Sequence, residues 1–414
     1  MGCQGNLVGI IEQSVCPNGV ISQAWRQIVV KQLRQFFALV PIVVTVFFNL
    51  PLGFFTHMVV VLISSLVAPE ANDFIIMQFL AGIIAILSIK GLMQRSQLVV
   101  CALLIFLCYS ITYAAQYVVR NGTFAGFDWH VILYFAVNCI VLSFAYFVIF
   151  IIEKIFGFTS QVTLVELSDI NNPVLRELSE NCPGTFQHSL QVATLAGEAA
   201  RNIGANVQLV RAGALYHDIG KIDNPAFFTE NQSGVNPHDV LQPQQSASIV
   251  ISHVSDGIKR AEKANLPEVI KDLIAQHHGR GKTRYFYNKA LKQSATGNVD
   301  ATPFSYPGPN PQTKEAAILM MADSCEAAAK SLAEPNEANI TNLVEKIIDT
   351  QVNEGMFNES PISFKEVGEV KKSLIKRLLT FYHTRVSYPE DVKVIKEENN
   401  TIDNELDTNP AIEE

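Results

Sequence analysis

The chain has 414 residues, 49 % of them hydrophobic and only 17 % charged, with a formal net charge of −8. That length suggests two or three domains, and the acidic balance, without a basic stretch interleaved with aromatics, argues against a nucleic-acid polymer as partner. No Asp, Glu, Lys or Arg occurs in 35–69, 74–89, 96–119 or 129–152, whereas the second half is ordinary in charge. One half is therefore built for lipid and the other for water.

In chain order, residues 1–32 form an N-terminal segment that lacks the basic start and apolar core of a signal peptide. Residues 33–156 are read as transmembrane. A spanning helix needs about 20 apolar residues, and the uncharged runs predict five helices, near 33–49, 53–69, 73–91, 97–119 and 129–155. The first run is split at Asn49–Gly53, where Pro51 removes a backbone donor. The alternative for 53–69 is a re-entrant or buried segment. Lys90 and Arg95 favour the cytoplasmic side for their loop. The acidic 69–73 loop and the 120–128 segment then face outward, and the chain leaves the fifth helix on the cytoplasmic side. Arg26, Lys31 and Arg34 fall on the predicted outer side and run against this orientation.

Residues 157–390 carry a helical apolar pattern with few β-branched runs and predict an all-α domain. Helices are expected at 173–180, 186–203, 207–217, 243–264, 267–278, 313–332 and 364–382. The stretch 282–311 reads as loop-rich, and 391–414 as an acidic disordered tail. The seven cysteines are scattered with no CxxC pair, so no zinc finger or disulfide framework is indicated. Cys101, Cys108 and Cys139 read as small hydrophobes in apolar runs, and Cys182 and Cys325 suit a reducing cytoplasm.

Six of the nine histidines lie between His188 and His278. Imidazole and carboxylate are ligands that divalent transition metals favour at neutral pH. His188 sits at the edge of an apolar helix face. His217 and Asp218 close a helix in ALYHDIGKID, where Gly220 allows a tight exit and Lys221 places a cation for a phosphate. His253 lies on or near the buried side of its helix, and a buried imidazole needs a partner. His277 and His278 point about 100° apart on a helix; His277 is read as the ligand and His278 as a supporting or substrate contact. Asp323 stands on an apolar helix, which is costly unless the carboxylate is paired or metal-bound. His238 reads as a loop residue able to face substrate. For each alone, a satisfied core or surface side chain is the plainer reading; together they place ligand types on five separate helices.

The strings PGTFQHSLQVATLAG, GALYHDIGKIDNPAFFTENQ and YPGPNPQTKEAAILMMADSCEAAAKSL, with the QHHG turn, resemble the membrane-anchored seven-transmembrane HD family, whose members hydrolyse cyclic di-AMP. The resemblance implies an all-α polytopic bundle followed by a cytoplasmic HD phosphohydrolase domain, on an N-terminally shortened chain. It implies two divalent metal ions, manganese or iron. Asp218 would bridge them, His188, His217 and Asp323 would complete one, and His253 and His277 the other. Two such ions can generate a nucleophilic water and clamp a phosphodiester. The expected product is 5′-pApA, with Asp218 and Lys221 as the catalytic pair and Lys221 neutralising the scissile phosphate. The sequence HHGRGKTRYFY lacks the glutamate and Gly-Tyr-Pro of the cyclic di-GMP branch. The competing expectations are another cyclic or linear dinucleotide as substrate, or a non-enzymatic nucleotide-sensing membrane receptor.

Overall fold

The computed structural model describes residues 36–382, apart from 67, 69, 90–96, 233 and 295–296. Among the described residues the chain is helical, with one isolated bridge, Lys282 to Ser305, in place of any sheet. The expected 1–32 segment and 391–414 tail lie outside the described residues.

The apolar half holds α1 (Leu39–Phe47), α2 (Leu50–Ser65), α3 (Ala71–Ile89), α4 (Gln97–Asn121), α5 (Trp129–Ser143) and α6 (Ala145–Phe156). Among the described residues three stretches are long and apolar enough to cross a membrane: α3, α4, and α5 with α6 taken as Trp129–Phe156. Of the five expected spans, those near 33–49 and 53–69 fall on the shorter α1 and α2, and residues 33–35 of the first lie outside the described residues. At about 1.5 Å per residue, the nine residues of α1 reach only about 14 Å, and α2 is also short of a span. Pro51 does not end a helix; it sits in the first turn of α2, where a missing N–H costs nothing, and Asn49 caps that turn by accepting from the Leu52 N–H at 2.9 Å. The chain folds back there, and α1 and α2 pack so closely that a Cβ on Gly53 would lie 2.1 Å from Thr45 Oγ1.

The second half holds α7 (Gln161–Leu167), α8 (Pro173–Asn181), α9 (Pro183–Ile203), α10 (Val207–Tyr216), α11 (Pro243–Lys263), α12 (Glu268–Gln276), α13 (Arg284–Gln293), α14 (Lys314–Ala329), α15 (Glu337–Asn353) and α16 (Phe364–Phe381). Helix α9 lies centrally, against α10, α14 and α16. Helix α14 buries Ala316–Asp323 without interruption, so it has no solvent face to make it amphipathic. Leu175 and Leu178 dock α8 on this core, each contributing about 1.5–3 kcal/mol by burial. Two expectations fail: α13 occupies part of the stretch read as loop, and α15 had no predicted counterpart. Short α7 joins the halves, with Val162 in the core of the membrane bundle and Leu164 in that of the second half. Its N-terminus is fixed by Glu153, which accepts from the Ser160 N–H (2.9 Å) and the Thr163 hydroxyl (2.8 Å).

Candidate metal centre

Five elements meet at one buried point. Helix α9 brings His188, α11 brings His253 and α14 brings Asp323. His217 and His277 are the residues at which α10 and α12 end, and Asp218 follows His217 outside regular helix. This refines the expected placement within helices: at a helix end the backbone turns, so adjacent side chains can reach one point from different directions. The turn at 219–223 runs against α11 at backbone distance. A Cβ on Gly220 would stand 1.9 Å from the His253 carbonyl oxygen. Gly220 therefore serves close approach between two ligand-bearing segments.

Three histidines are oriented by their own helices. Nδ1 of His217, His253 and His277 donates to the carbonyls of Ala214 (2.7 Å), Val250 (2.5 Å) and Ile274 (2.7 Å). In the neutral ring each Nε2 is thereby the lone-pair nitrogen, facing the centre. His188 differs. Its Nδ1 meets the Glu326 carboxylate, which is fully buried, while its Nε2 lies 2.9 Å from Asp323 Oδ1.

Asp218, 2 % exposed, stands between two clusters. Oδ2 lies 3.2 Å from His217 Nε2 and 3.7 Å from His188 Nε2, and Oδ1 lies 3.3 Å from His253 Nε2 and 3.8 Å from His277 Nε2. Ligand atoms of His188, His217 and Asp323 lie within 4.8 Å of one another, and so do those of His253, His277 and His278. The His278 side chain is 27 % exposed and opens on a cavity of about 410 Å³. Its ring lies 4.0 Å from that of His277 and 4.4 Å from that of Tyr306.

The electrostatics suit cations. Burial opposes ionisation of Asp218, but His217 and Lys221 outweigh it and hold the carboxyl well below its usual range. Burial likewise opposes ionisation of Asp323, and His188 and His217 outweigh it. Burial lowers the pKa of His253 and His277, keeping them neutral as metal ligation requires. Asp218 Oδ1 and His217 Nε2 are buried without a hydrogen-bond partner, and such orphaned atoms need an explanation. Burial opposes protonation of His217, but Asp218 and Asp323 outweigh it and raise its pKa to about 10, so ion binding must displace that proton. Two clusters of three histidine or carboxylate side chains, with one further carboxylate between them, fit a pair of divalent ions.

Lys221 is held by Asp218 Oδ2 at 2.8 Å and Glu230 Oε1 at 2.7 Å, with its ammonium 4.9 Å from the centre of the Phe228 ring. The expected free cation is thus already engaged by two carboxylates, one of which, Glu230, the sequence reading missed. His238 is corrected. It is buried, bonds the Phe227 carbonyl at 2.8 Å and packs 4.8 Å from the Phe286 ring, so it holds the structure rather than facing substrate. Glu326 was also missed; it lies three residues after Asp323, on the same side of α14. His57 and His130 lie in the apolar half, away from this centre, and His383 lies outside the described residues.

Comparison with known proteins gives a consistent frame. The family model described as "HD domain" matches residues 185–328, and that described as "7TM receptor with intracellular HD hydrolase" matches 31–160. The Cyclic-di-AMP phosphodiesterase PgpH of Bacillus subtilis is 36 % identical over 77 % of this chain and 45 % of its own length. That of Listeria monocytogenes is 43 % identical over 59 % of this chain and 34 % of its own. The chain therefore spans less than half the length of these curated relatives. The crystal structure of the L. monocytogenes PgpH HD domain in complex with cyclic-di-AMP superposes with a TM-score of 0.50 at 42 % identity, covering 52 % of this chain and all of that one. With an HD-domain relative covered in full at 42 % identity, this chain belongs to the HD-domain family, and its apolar half is similar to the membrane part of the seven-transmembrane receptors that carry such a domain.

Proposed function

We propose that the protein is a membrane-bound phosphodiesterase that hydrolyses cyclic di-AMP to linear 5′-pApA on the cytoplasmic side of the plasma membrane. The observation that carries this reading is the division of Asp218 between two clusters of three ligand-type side chains. The family relationship and the cyclic-di-AMP complex of a relative supply the substrate class.

In this reading His188, His217 and Asp323 would hold one divalent ion and His253 and His277 a second, with Asp218 placed between them. His278, which the sequence set aside, joins the second group. Bound manganese or iron would activate a water and polarise the phosphodiester. The chain's own contribution is placement. The Nδ1 contacts fix the three helix-anchored histidines in one tautomer, and Glu326 does so for His188. Lys221 keeps Asp218 ionised and stands at the cavity, where a phosphate oxygen can exchange for Glu230. The cavity admits the ligand through the exposed edge of His278.

The test is hydrolysis by the full chain, purified in lipid nanodiscs and loaded with manganese or iron. Cyclic di-AMP, cyclic di-GMP, linear dinucleotides and a short RNA are offered side by side. Fastest turnover of cyclic di-AMP, with a loss of at least a hundredfold in Asp218→Ala, is expected. A metal-loaded protein that leaves cyclic di-AMP intact overturns the proposal.

A further inference from the structure

A second cavity, of about 520 Å³, opens within the apolar half. It lies where α3 and α5 begin and α4 ends. Helices α5 and α6 together run 28 residues, about 42 Å at 1.5 Å per residue, from this cavity to the junction with α7. The cavity shares no lining residue with the metal centre. Its volume falls within the range of small-molecule sites.

The wall chemistry selects a ligand. The inner part is apolar and aromatic: Phe74 is 6 % and Phe135 3 % exposed, and Tyr113 packs edge-on against Phe135 at 6.0 Å. The floor is polar and fixed. Gln78, 2 % exposed, accepts from the Tyr109 hydroxyl at 2.9 Å, and its carbonyl oxygen lies 2.9 Å from His57 Nε2. The mouth is acidic. Glu70, Asp73 and Asp128 face one cation, Arg120, which is taken by Asp73 and by Glu70 at 3.4 Å. Asp128 caps α5 through the His130 N–H at 3.0 Å and, among the described residues, forms no ion pair.

Aromatic residues often collect at a membrane–water interface, but belt residues face lipid. Trp129 and Phe124 fit that description at 73 % and 62 % exposure. Tyr113, Tyr134 and Phe135 instead line an internal space. An excess of carboxylate at the mouth of an aromatic cavity attracts cations by field and holds them by ring quadrupole. We propose that this cavity binds a small organic cation, an ammonium group carried on an apolar or aromatic body. The ammonium sits between Asp128 and Glu70, and the body reaches Phe74 and Phe135. This site is independent of the phosphodiesterase reading, because its occupancy is measured without nucleotide.

The probe is phenethylammonium, added to the full chain in phosphatidylglycerol nanodiscs. Trp129 packs on Phe127, at 4.9 Å between rings, and Phe127 lies 5.1 Å from the ring of Tyr113 in the cavity wall, so Trp129 reports by emission. The chain's other tryptophan, Trp25, is replaced by phenylalanine so that Trp129 alone is read. Saturable quenching is expected, at least tenfold weaker for neutral phenethyl alcohol and absent for phenylacetate. The double variant Glu70→Gln, Asp128→Asn, in which asparagine still caps the helix, is expected to weaken phenethylammonium at least tenfold. Competition on adding phosphatidylethanolamine assigns the site to a headgroup ammonium, and its absence to a soluble amine. Equal binding of the alcohol or the anion, or wild-type affinity in the double variant, overturns the proposal.

Discussion

Glu326 shows what a single residue contributes at this centre. It is fully buried, meets His188 Nδ1 with one oxygen and has Lys330 2.9 Å from the other. A carboxylate on the far nitrogen of a ligand histidine fixes the ring and raises its basicity, and loss of such a partner typically costs about 10–100-fold in metal affinity or activity. Glu326→Gln should therefore weaken the metal site that includes His188 by that factor, while the cluster on His253 keeps its metal. A competitive chelator titration with metal analysis resolves the two, and full retention of both ions would show that Glu326 only fills space. The histidines, Asp218 and Asp323 were legible in the sequence because ligation is written in residue type. Glu326 was not, because a glutamate in EAAAK reads as an exposed helix charge until α9 is packed against it.

At the scale of elements, caps fixed most boundaries. Ser363 opens α16 by accepting from the Glu366 N–H, while Glu366 returns a bond to the Ser363 N–H at 2.8 Å. Ser363→Ala should cost about 1 kcal/mol, read as a shift in urea midpoint. Glu366 also binds Lys314 at the start of α14. That hydrogen bond, with those from Ser363, lowers the Glu366 carboxyl from 4.5 to about 2. A carboxyl whose folded pKa is depressed stabilises the fold above its unfolded value and loses that contribution as pH falls through the folded one. The contribution is thus complete above about 4.5 and gone below about 2. Melting temperatures of wild type and Glu366→Gln should converge across that window and stay parallel above it. Identical profiles would remove Glu366 from acid stability. Elements lacking such signals were missed. Helix α15 buries Ile340, Val344 and Ile348 at a spacing of four, behind an Asn336 cap, a pattern present in the sequence but set among polar residues. Helix α13 buries only Phe286 and Ala290, and its short length beside glycine and proline made it read as loop.

The whole molecule has two large cores, one in the membrane bundle and one in the helical domain, met by α7. A ligand that binds only the folded state stabilises it, by about 2.7 kcal/mol at a hundredfold excess over its dissociation constant. Divalent metal at that excess should raise the unfolding transition of the helical domain and leave that of the bundle in place. Calorimetry of the full chain in nanodiscs, before and after chelation, measures both. A chelator effect on the bundle transition alone would move the metal site out of the HD domain.

The sequence by itself determined the division into a lipid-compatible and a water-compatible half, the all-helical class and the candidate metal-ligand residues. Each of these depends on composition or on local spacing along the chain. Tertiary structure decided what depends on distance between remote segments. It turned the two oxygens of Asp218 toward different histidine clusters, gave Lys221 two carboxylates, moved His278 into the centre and took His238 out. Among the described residues it gave three apolar stretches the length of a span, because helix ends are set by caps and fold-backs such as that at Asn49 rather than by hydropathy alone.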